Sequence, residues 1–281
     1  MTSAVRIPIT FNARGLGGLP TEDGAVTAPV LYRSDSLSAL TEQGLLQLAE
    51  LGIGTVVDLR TDGERQRAAD ILPADGSVRL LALSIQGGAM DEMVQKLLPS
   101  DTGAVALTDA QITEIVDQVP TLDDLYLAIL ASSPAQFAVL ARAVIDATGS
   151  DRPAVLFHCT AGKDRTGLAA ALLLAVAGVP RSEIAADYAQ TEANLAGPFA
   201  QQLTALITAI GIPLTPRLET LATRSPESAI TAALDWIARE HGTAIDYLMS
   251  GGLTAAEAER LRGALVSADA GSAGSSGSND S

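Results

Sequence analysis

The chain has 281 residues, and its 47% hydrophobic content supports a sizeable core, but only 3% are aromatic, so Leu, Ala, Val and Ile must build that core. A net charge of −15 works against nucleic acid and anionic membrane as general partners, while a phosphorylated substrate stays open because the local field of a site decides its binding. One cysteine excludes an intramolecular disulfide, and that cysteine with two histidines offers no recognised ligand spacing, so neither a metal nor another cofactor is expected.

Residues 1–35 carry Gly-rich turns and short β-prone runs such as Val30–Tyr32. Residues 1–10 lack the basic start and apolar core of a signal peptide, and no run is long enough for a transmembrane helix. A reducing cytoplasm and no stable membrane insertion are therefore expected, although export without a signal peptide leaves no mark to read. Thr41 as N-cap, with Leu45, Leu48 and Leu51 on one face, predicts a helix over Glu42–Leu51. A strand over Thr55–Leu59 follows. The charged run Arg60–Asp70 reads as a polar loop and short helix near the site, most of it a solvated face. Val78–Leu83 is a second strand. Met90, Met93, Val94 and Leu97 have helical spacing, and Ala110–Val119 forms another short helix.

Ser133-Pro134-Ala135-Gln136 supplies an N-cap, a Pro at N1 and a capping-box Gln. Phe137, Leu140, Ala141, Val144 and Ile145 then form an apolar stripe that Gly149 can end. A strand over Ala154–His158 leads through a short loop into the apolar run Leu168–Val179, too short to cross a bilayer. Helices are expected over 182–195, 199–210, 226–241 and 255–266, with Ser182, Ser225 and Thr254 as caps and Glu257 completing a capping box. Residues 268–281 are rich in Gly, Ser, Ala and Asp and read as a disordered tail. The expected architecture is one α/β domain over 1–267, with a small, mostly parallel central sheet flanked by helices and a helical C-terminal half.

The loop between strand and helix reads His158-Cys159-Thr160-Ala161-Gly162-Lys163-Asp164-Arg165-Thr166-Gly167 and holds the only cysteine. A strand, a tight turn and a helix N-terminus make an anion cradle from backbone N–H groups, and the helix dipole favours negative charge there. The same field favours a thiolate. Cys159 is thus a candidate nucleophile, Arg165 a bidentate clamp, and residues 160–165 (Thr160, Ala161, Gly162, Lys163, Asp164, Arg165) the phosphate-binding loop. Gly162 suits a positive φ or a close backbone approach. Thr166 can help a thiolate leave, His158 would hold the loop, and Lys163 would add a cation at the rim. Asp164 is unusual beside a bound anion. A lone cysteine is more often a small buried hydrophobe than a nucleophile; the surrounding residues reverse those odds.

At these residues the chain resembles the Cys-x5-Arg protein tyrosine phosphatase superfamily, in the branch found in actinobacteria and fungi. Further segments carry the resemblance: Phe11–Leu19, Leu31-Tyr32-Arg33-Ser34-Asp35, Val57-Asp58-Leu59-Arg60 with Glu64, Ala186-Asp187-Tyr188, and Ala232–Leu248. Gly15 stands where the first motif usually has aspartate. The resemblance implies hydrolysis of phosphotyrosine, and of phosphoserine or phosphothreonine, through a thiophosphate intermediate. It also implies a helical lid over residues 86–120 and a proton donor for the leaving group. Asp58, at the C-terminal end of a β-branched run, and Asp164 are both candidates for that donor; the competing reading of Asp58 is a carboxylate paired with Arg60 or Arg33. An alternative substrate class is phosphoinositides, since Lys163 occupies a position where such phosphatases carry added positive charge. A non-catalytic phosphate-binding module would show damage at Cys159, Arg165 or Thr166, and all three are intact. The Lys-Asp-Arg-Thr-Gly ending favours phosphate transfer over sulfur transfer.

Overall fold

Side chains along a strand point alternately to its two faces, and the central strands use that alternation to bury both. A computed structural model describes residues 3–4, 7–8, 10–86, 108, 119–209 and 213–267. Its strands are β1 (Ser3–Ala4), β2 (Arg14–Gly15), β3 (Pro20–Thr21), β4 (Gly24–Val26), β5 (Leu31–Ser34), β6 (Ile53–Asp58), β7 (Arg79–Ala82), β8 (Ala154–His158) and β9 (Val266–Ser267). The main sheet runs β1-β2-β5-β8-β6-β7. The pairings among β5, β8, β6 and β7 are parallel, and the two-residue strands β1 and β2 add antiparallel edges. A smaller sheet, β3-β4-β9, ties residues 266–267 to the N-terminal part of the chain. This is the mostly parallel α/β arrangement expected.

The helices are α1 (Glu42–Glu50), α2 (Asp62–Arg67), α3 (Leu122–Ser132), α4 (Pro134–Ala147), α5 (Asp164–Val176), α6 (Arg181–Leu195), α7 (Pro198–Ala209), α8 (Pro216–Thr223), α9 (Glu227–His241), α10 (Ala244–Ser250) and α11 (Ala255–Leu265). On one face of the sheet, Tyr32, Ile53, Val56, Ala154 and Leu156 pack with Leu48 of α1. On the other, Leu31, Val57, Val155 and Phe157 join a larger core built from α3–α6 and α9–α11. Helix α5 is buried all round from Arg165 to Leu174. It touches β5 and β8 on one side and α3, α6, α9, α10 and α11 on the others, which explains its lack of a polar face. Each fully buried leucine there contributes about 1.5–3 kcal/mol. No single helix among the described residues is long and apolar enough to cross a membrane.

Expected and observed boundaries differ mostly at caps. Thr41 caps α1 and Thr254 caps α11 with a capping box, as expected. Ser133 precedes α4 but makes no side-chain cap bond, because its backbone is not extended (φ −128°, ψ 27°). Pro226, rather than Ser225, is the N-cap of α9, and α6 begins at Arg181, before Ser182. Helices α3, α8 and α10 were not anticipated; α8 and α10 are only eight and seven residues long, too short for a clear periodicity. The expected lid falls on residues 87–107 and 109–118 and the expected tail on 268–281, outside the described residues.

Candidate active site

Parallel pairing places Ser34 of β5 and Asp58 of β6 level with His158, so three strand ends meet where the His158–Gly167 loop begins. Each carbonyl from Cys159 to Gly162 has a hydrogen-bond partner. Cys159 O faces His158 Nδ1 at 3.0 Å, and Thr160 O accepts from Ser36 N at 3.0 Å. Asn12 Nδ2 donates to Ala161 O (3.1 Å) and Gly162 O (3.0 Å), and Arg33 donates to Gly162 O at 2.8 Å. In a trans peptide the N–H of the next residue points opposite to the carbonyl. Anchoring these oxygens outward therefore turns the N–H groups of residues 160–163 to the concave side. Gly162 makes the turn possible: its φ is +66°, and a Cβ would lie 2.3 Å from Ser34 O.

Arg165 is almost fully buried, and its guanidinium is held as a fork by Glu64, with Nη1 to Oε2 at 2.7 Å and Nη2 to Oε1 at 2.8 Å. Thr160 Oγ1 donates to the same Oε1 at 2.6 Å. Glu64 also closes the capping box of α2, accepting from Thr61 N at 2.8 Å. One carboxylate thus ties the loop's arginine, its first threonine and a neighbouring helix start together.

Beneath the loop, His158 Nε2 meets Asp70 Oδ2 at 3.0 Å while Nδ1 faces the Cys159 carbonyl. Both ring nitrogens face acceptors, so both are satisfied as donors in the imidazolium. Burial alone would lower the His158 pKa, but the bond to Asp70 and the carboxylates of Asp70 and Asp58 outweigh it and raise it. Asp70 is lowered for the reciprocal reason, its own burial opposing. Arg60 bridges Asp58 and Asp70, both at 2.8 Å. Asp58, Asp70 and His158 bring ligand-type atoms within 4.8 Å of one another. Arg60 pairs with both carboxylates and His158 with Asp70, so the three groups are committed to one another and to Arg60.

A second buried cluster lies on the outer side of the loop. Asp187 accepts from Arg14 Nε at 2.8 Å and from Arg33 Nη1 at 2.6 Å, with all three side chains at most 3% exposed. Burial and the neighbouring Arg33 charge bring the Arg14 pKa down to about 10, against the pull of Asp187. Burial would raise Asp187, but the two arginines outweigh it and lower it. Two cations against one anion leave positive charge directly behind the Gly162 carbonyl, a field that favours an anion in the loop.

The sequence profile of the Tyrosine phosphatase family matches residues 5–267. The chain belongs to the tyrosine phosphatase family. A tyrosine-protein phosphatase of Nostoc commune is 34% identical over 62% of this chain and 52% of its own length, so the chain spans about half of that relative. A Cupriavidus necator protein provisionally named a tyrosine-protein phosphatase is 32% identical over 84% of this chain and 80% of its own. The triple specificity protein phosphatase PtpB of Mycobacterium tuberculosis is 29% identical over 94% of this chain and 99% of its own.

Within this family frame the structure places the sequence-derived candidates as follows. Cys159 is buried at 3% exposure at the end of β8, a free cysteine. Thr166 is fully buried, and its hydroxyl has no hydrogen-bond partner among the described residues. His158 lies between the Cys159 carbonyl and Asp70. Lys163 does not supply a rim cation: its side chain is 1% exposed and turns back to donate to Leu221 O (2.5 Å) and Arg224 O (3.2 Å) beside α8. A long ammonium side chain finds unpaired carbonyls at that helix end, which a sequence cannot show. Asp58 is fully buried and paired with Arg60, which takes both of its oxygens. Asp164 keeps 18% of its side chain exposed; its Oδ1 meets Tyr126 at 2.9 Å and Lys163 Nζ at 3.5 Å, and its Oδ2 has no partner among the described residues.

The solvated-face reading of Arg60–Asp70 is corrected at the positions that matter, because Arg60 and Glu64 are buried and Asp70 is enclosed beside them. Asn12, Arg14 and Asp187 lie in segments that carry the resemblance but had no assigned role, Tyr126 had no signal at all, and Arg33, a candidate partner for Asp58, pairs with Asp187 instead. For Glu64 the local signal is Thr61-Asp62-Gly63-Glu64, a capping-box pattern.

Proposed function

We propose that this chain is a cysteine-dependent phosphatase that hydrolyses phosphotyrosine, and also phosphoserine or phosphothreonine. The observation that carries this reading is the loop itself: a buried cysteine at its start, carbonyls anchored by Asn12 and Arg33, and an arginine fork set by Glu64. The ester phosphate sits in the ring of N–H groups, and its equatorial oxygens take the N–H groups and Arg165. The Cys159 thiolate attacks phosphorus, the S–P bond forms and the P–O ester bond breaks. The leaving oxygen takes a proton from Asp164. Water then attacks the thiophosphate, gives a proton to Asp164, and releases phosphate and the thiolate, which the unpartnered Thr166 hydroxyl stabilises.

Asp164 is preferred to Asp58 as the acid because, among the described residues, only Asp164 keeps an oxygen without a partner together with solvent exposure. The relative named a triple specificity protein phosphatase supports assaying more than one class of phosphoester. The phosphoinositide alternative was motivated by Lys163, whose ammonium is committed to protein carbonyls, so it rests on the remaining cradle alone.

The test is release of inorganic phosphate from p-nitrophenyl phosphate and from phosphopeptides without added metal, together with inhibition by vanadate. The reading predicts no turnover for Cys159→Ser and a crippled Arg165→Lys, since a point charge cannot replace the fork. Appreciable turnover by Cys159→Ser refutes it. Initial rates on soluble phosphoinositides that exceed phosphopeptide rates by orders of magnitude would move the substrate assignment to lipids.

A further inference from the structure

Tyr126 of α3 and Tyr188 of α6 are both buried, and their hydroxyl oxygens lie 2.6 Å apart. Tyr126 also lies 2.9 Å from Asp164 Oδ1. A phenol has one proton to give. Tyr126 spends its proton on the carboxylate, so the short contact to Tyr188 requires Tyr188 to donate to Tyr126. With Oδ1 unprotonated, proton counting orders the chain as Tyr188 O–H to Tyr126 O–H to Asp164 Oδ1. Burial raises the pKa of both phenols, so both remain donors across the working range. The two rings pack edge-on, with centroids 6.1 Å apart and 87° between planes.

We propose that Tyr126, backed by Tyr188, is the positioning residue that decides which oxygen of Asp164 carries the catalytic proton. The inference rests on the reading of Asp164 as the general acid. Tyr126 donates to Oδ1 at 2.9 Å and the Lys163 ammonium stands 3.5 Å from the same oxygen, while Oδ2 has no partner among the described residues. Protonation at Oδ1 would set a second proton against the Tyr126 hydroxyl and beside the Lys163 charge, so the acid's proton resides on Oδ2. From there it passes to the ester oxygen as the P–O bond breaks, leaving the carboxylate with Oδ1 still anchored. Neither tyrosine touches substrate in this account; they hold the carboxyl's orientation.

The experiment compares phenyl phosphate, whose leaving group needs a proton, with p-nitrophenyl phosphate, whose leaving group needs it far less. Asp164→Asn should lose about 10²-fold in kcat on phenyl phosphate and much less on p-nitrophenyl phosphate. Tyr126→Phe should lose about 10-fold on phenyl phosphate and stay within about 2-fold on p-nitrophenyl phosphate, with KM unchanged. Introduced into Asp164→Asn, Tyr126→Phe should add nothing further. Tyr188→Phe, which leaves the Tyr126 hydroxyl in place, should give the same leaving-group pattern at about 3-fold and covers the case of a poorly folded Tyr126→Phe. A loss that is equal for both substrates in the tyrosine variants overturns the inference while the Asp164 reading stands. Absence of leaving-group discrimination in Asp164→Asn itself removes both.

Discussion

Glu64→Gln is the most informative single change at the site. The carboxylate makes two charge-assisted bonds to Arg165 (2.7 and 2.8 Å), and accepts from Thr160 Oγ1 at 2.6 Å and Thr61 N at 2.8 Å. Glutamine keeps the volume but replaces one oxygen by an NH2 group that cannot accept. Whichever end carries that group, one arm of the Arg165 fork then faces a donor. Losing one hydrogen bond to a charged group costs about 1.5–3 kcal/mol. If that falls on transition-state placement of the guanidinium, kcat/KM drops by about 10–150-fold. The assay is steady-state phosphate release together with the inhibition constant of vanadate, which should weaken in parallel. The wild-type protein and Glu64→Gln should both show a folded circular dichroism spectrum. Values of kcat/KM and vanadate inhibition within about 3-fold of wild type would refute the claim that Glu64 sets the clamp, because even the lower bond estimate predicts more.

Asp70→Asn should destabilise by about 3–5 kcal/mol near pH 6, since it leaves Arg60 and a buried imidazolium short of their anion. The raised His158 contributes stability that is fully present below 6.5 and lost as pH rises through its higher folded value, whereas the lowered Asp70 contributes stability present above about 3.8 and lost as pH falls. The gap in urea midpoint between wild type and Asp70→Asn should therefore narrow from pH 6 to pH 9; a constant or widening gap contradicts the pairing. Gly162→Ala forces a Cβ to within 2.3 Å of Ser34 O at a φ of +66°, and should cut kcat/KM by at least about 10²-fold through loop displacement; near-normal rates would show that the loop tolerates a different path. Asp187→Ala leaves Arg14 and Arg33 buried without an anion and should lower stability by about 3–5 kcal/mol in urea unfolding. A loss under about 1 kcal/mol would mean that the cluster is not held by that carboxylate.

The His158–Gly167 loop was legible because its signals are local. An apolar strand, a glycine needing positive φ and an apolar helix lie within about two dozen residues, and each imposes its own backbone state. The central strands were legible for the same reason, since their alternation defines two buried faces. What stayed hidden is pairing across sequence. The run from Arg60 to Asp70 looks like a solvated face because composition cannot show that Arg60 closes on Asp58 and Asp70, or that Glu64 reaches Arg165 101 positions later. Lys163 illustrates the opposite error: a cation in a phosphate loop suggested substrate charge, but its flexible stem folds back to carbonyls at α8. Tyr126 lies in a helix that periodicity did not single out, so its contact with Asp164 had no sequence signature.

The account depends on covalent transfer of phosphate to Cys159. Acid quench of the enzyme during turnover of p-nitrophenyl phosphate, followed by peptide mass spectrometry, tests that directly. Phosphate is expected on the sulfur of the Cys159 peptide in wild type, accumulating in Asp164→Asn if water attack is slowed, and absent in Cys159→Ser. Steady phosphate release with no phosphorylated Cys159 peptide, or with phosphate on another residue, would contradict it.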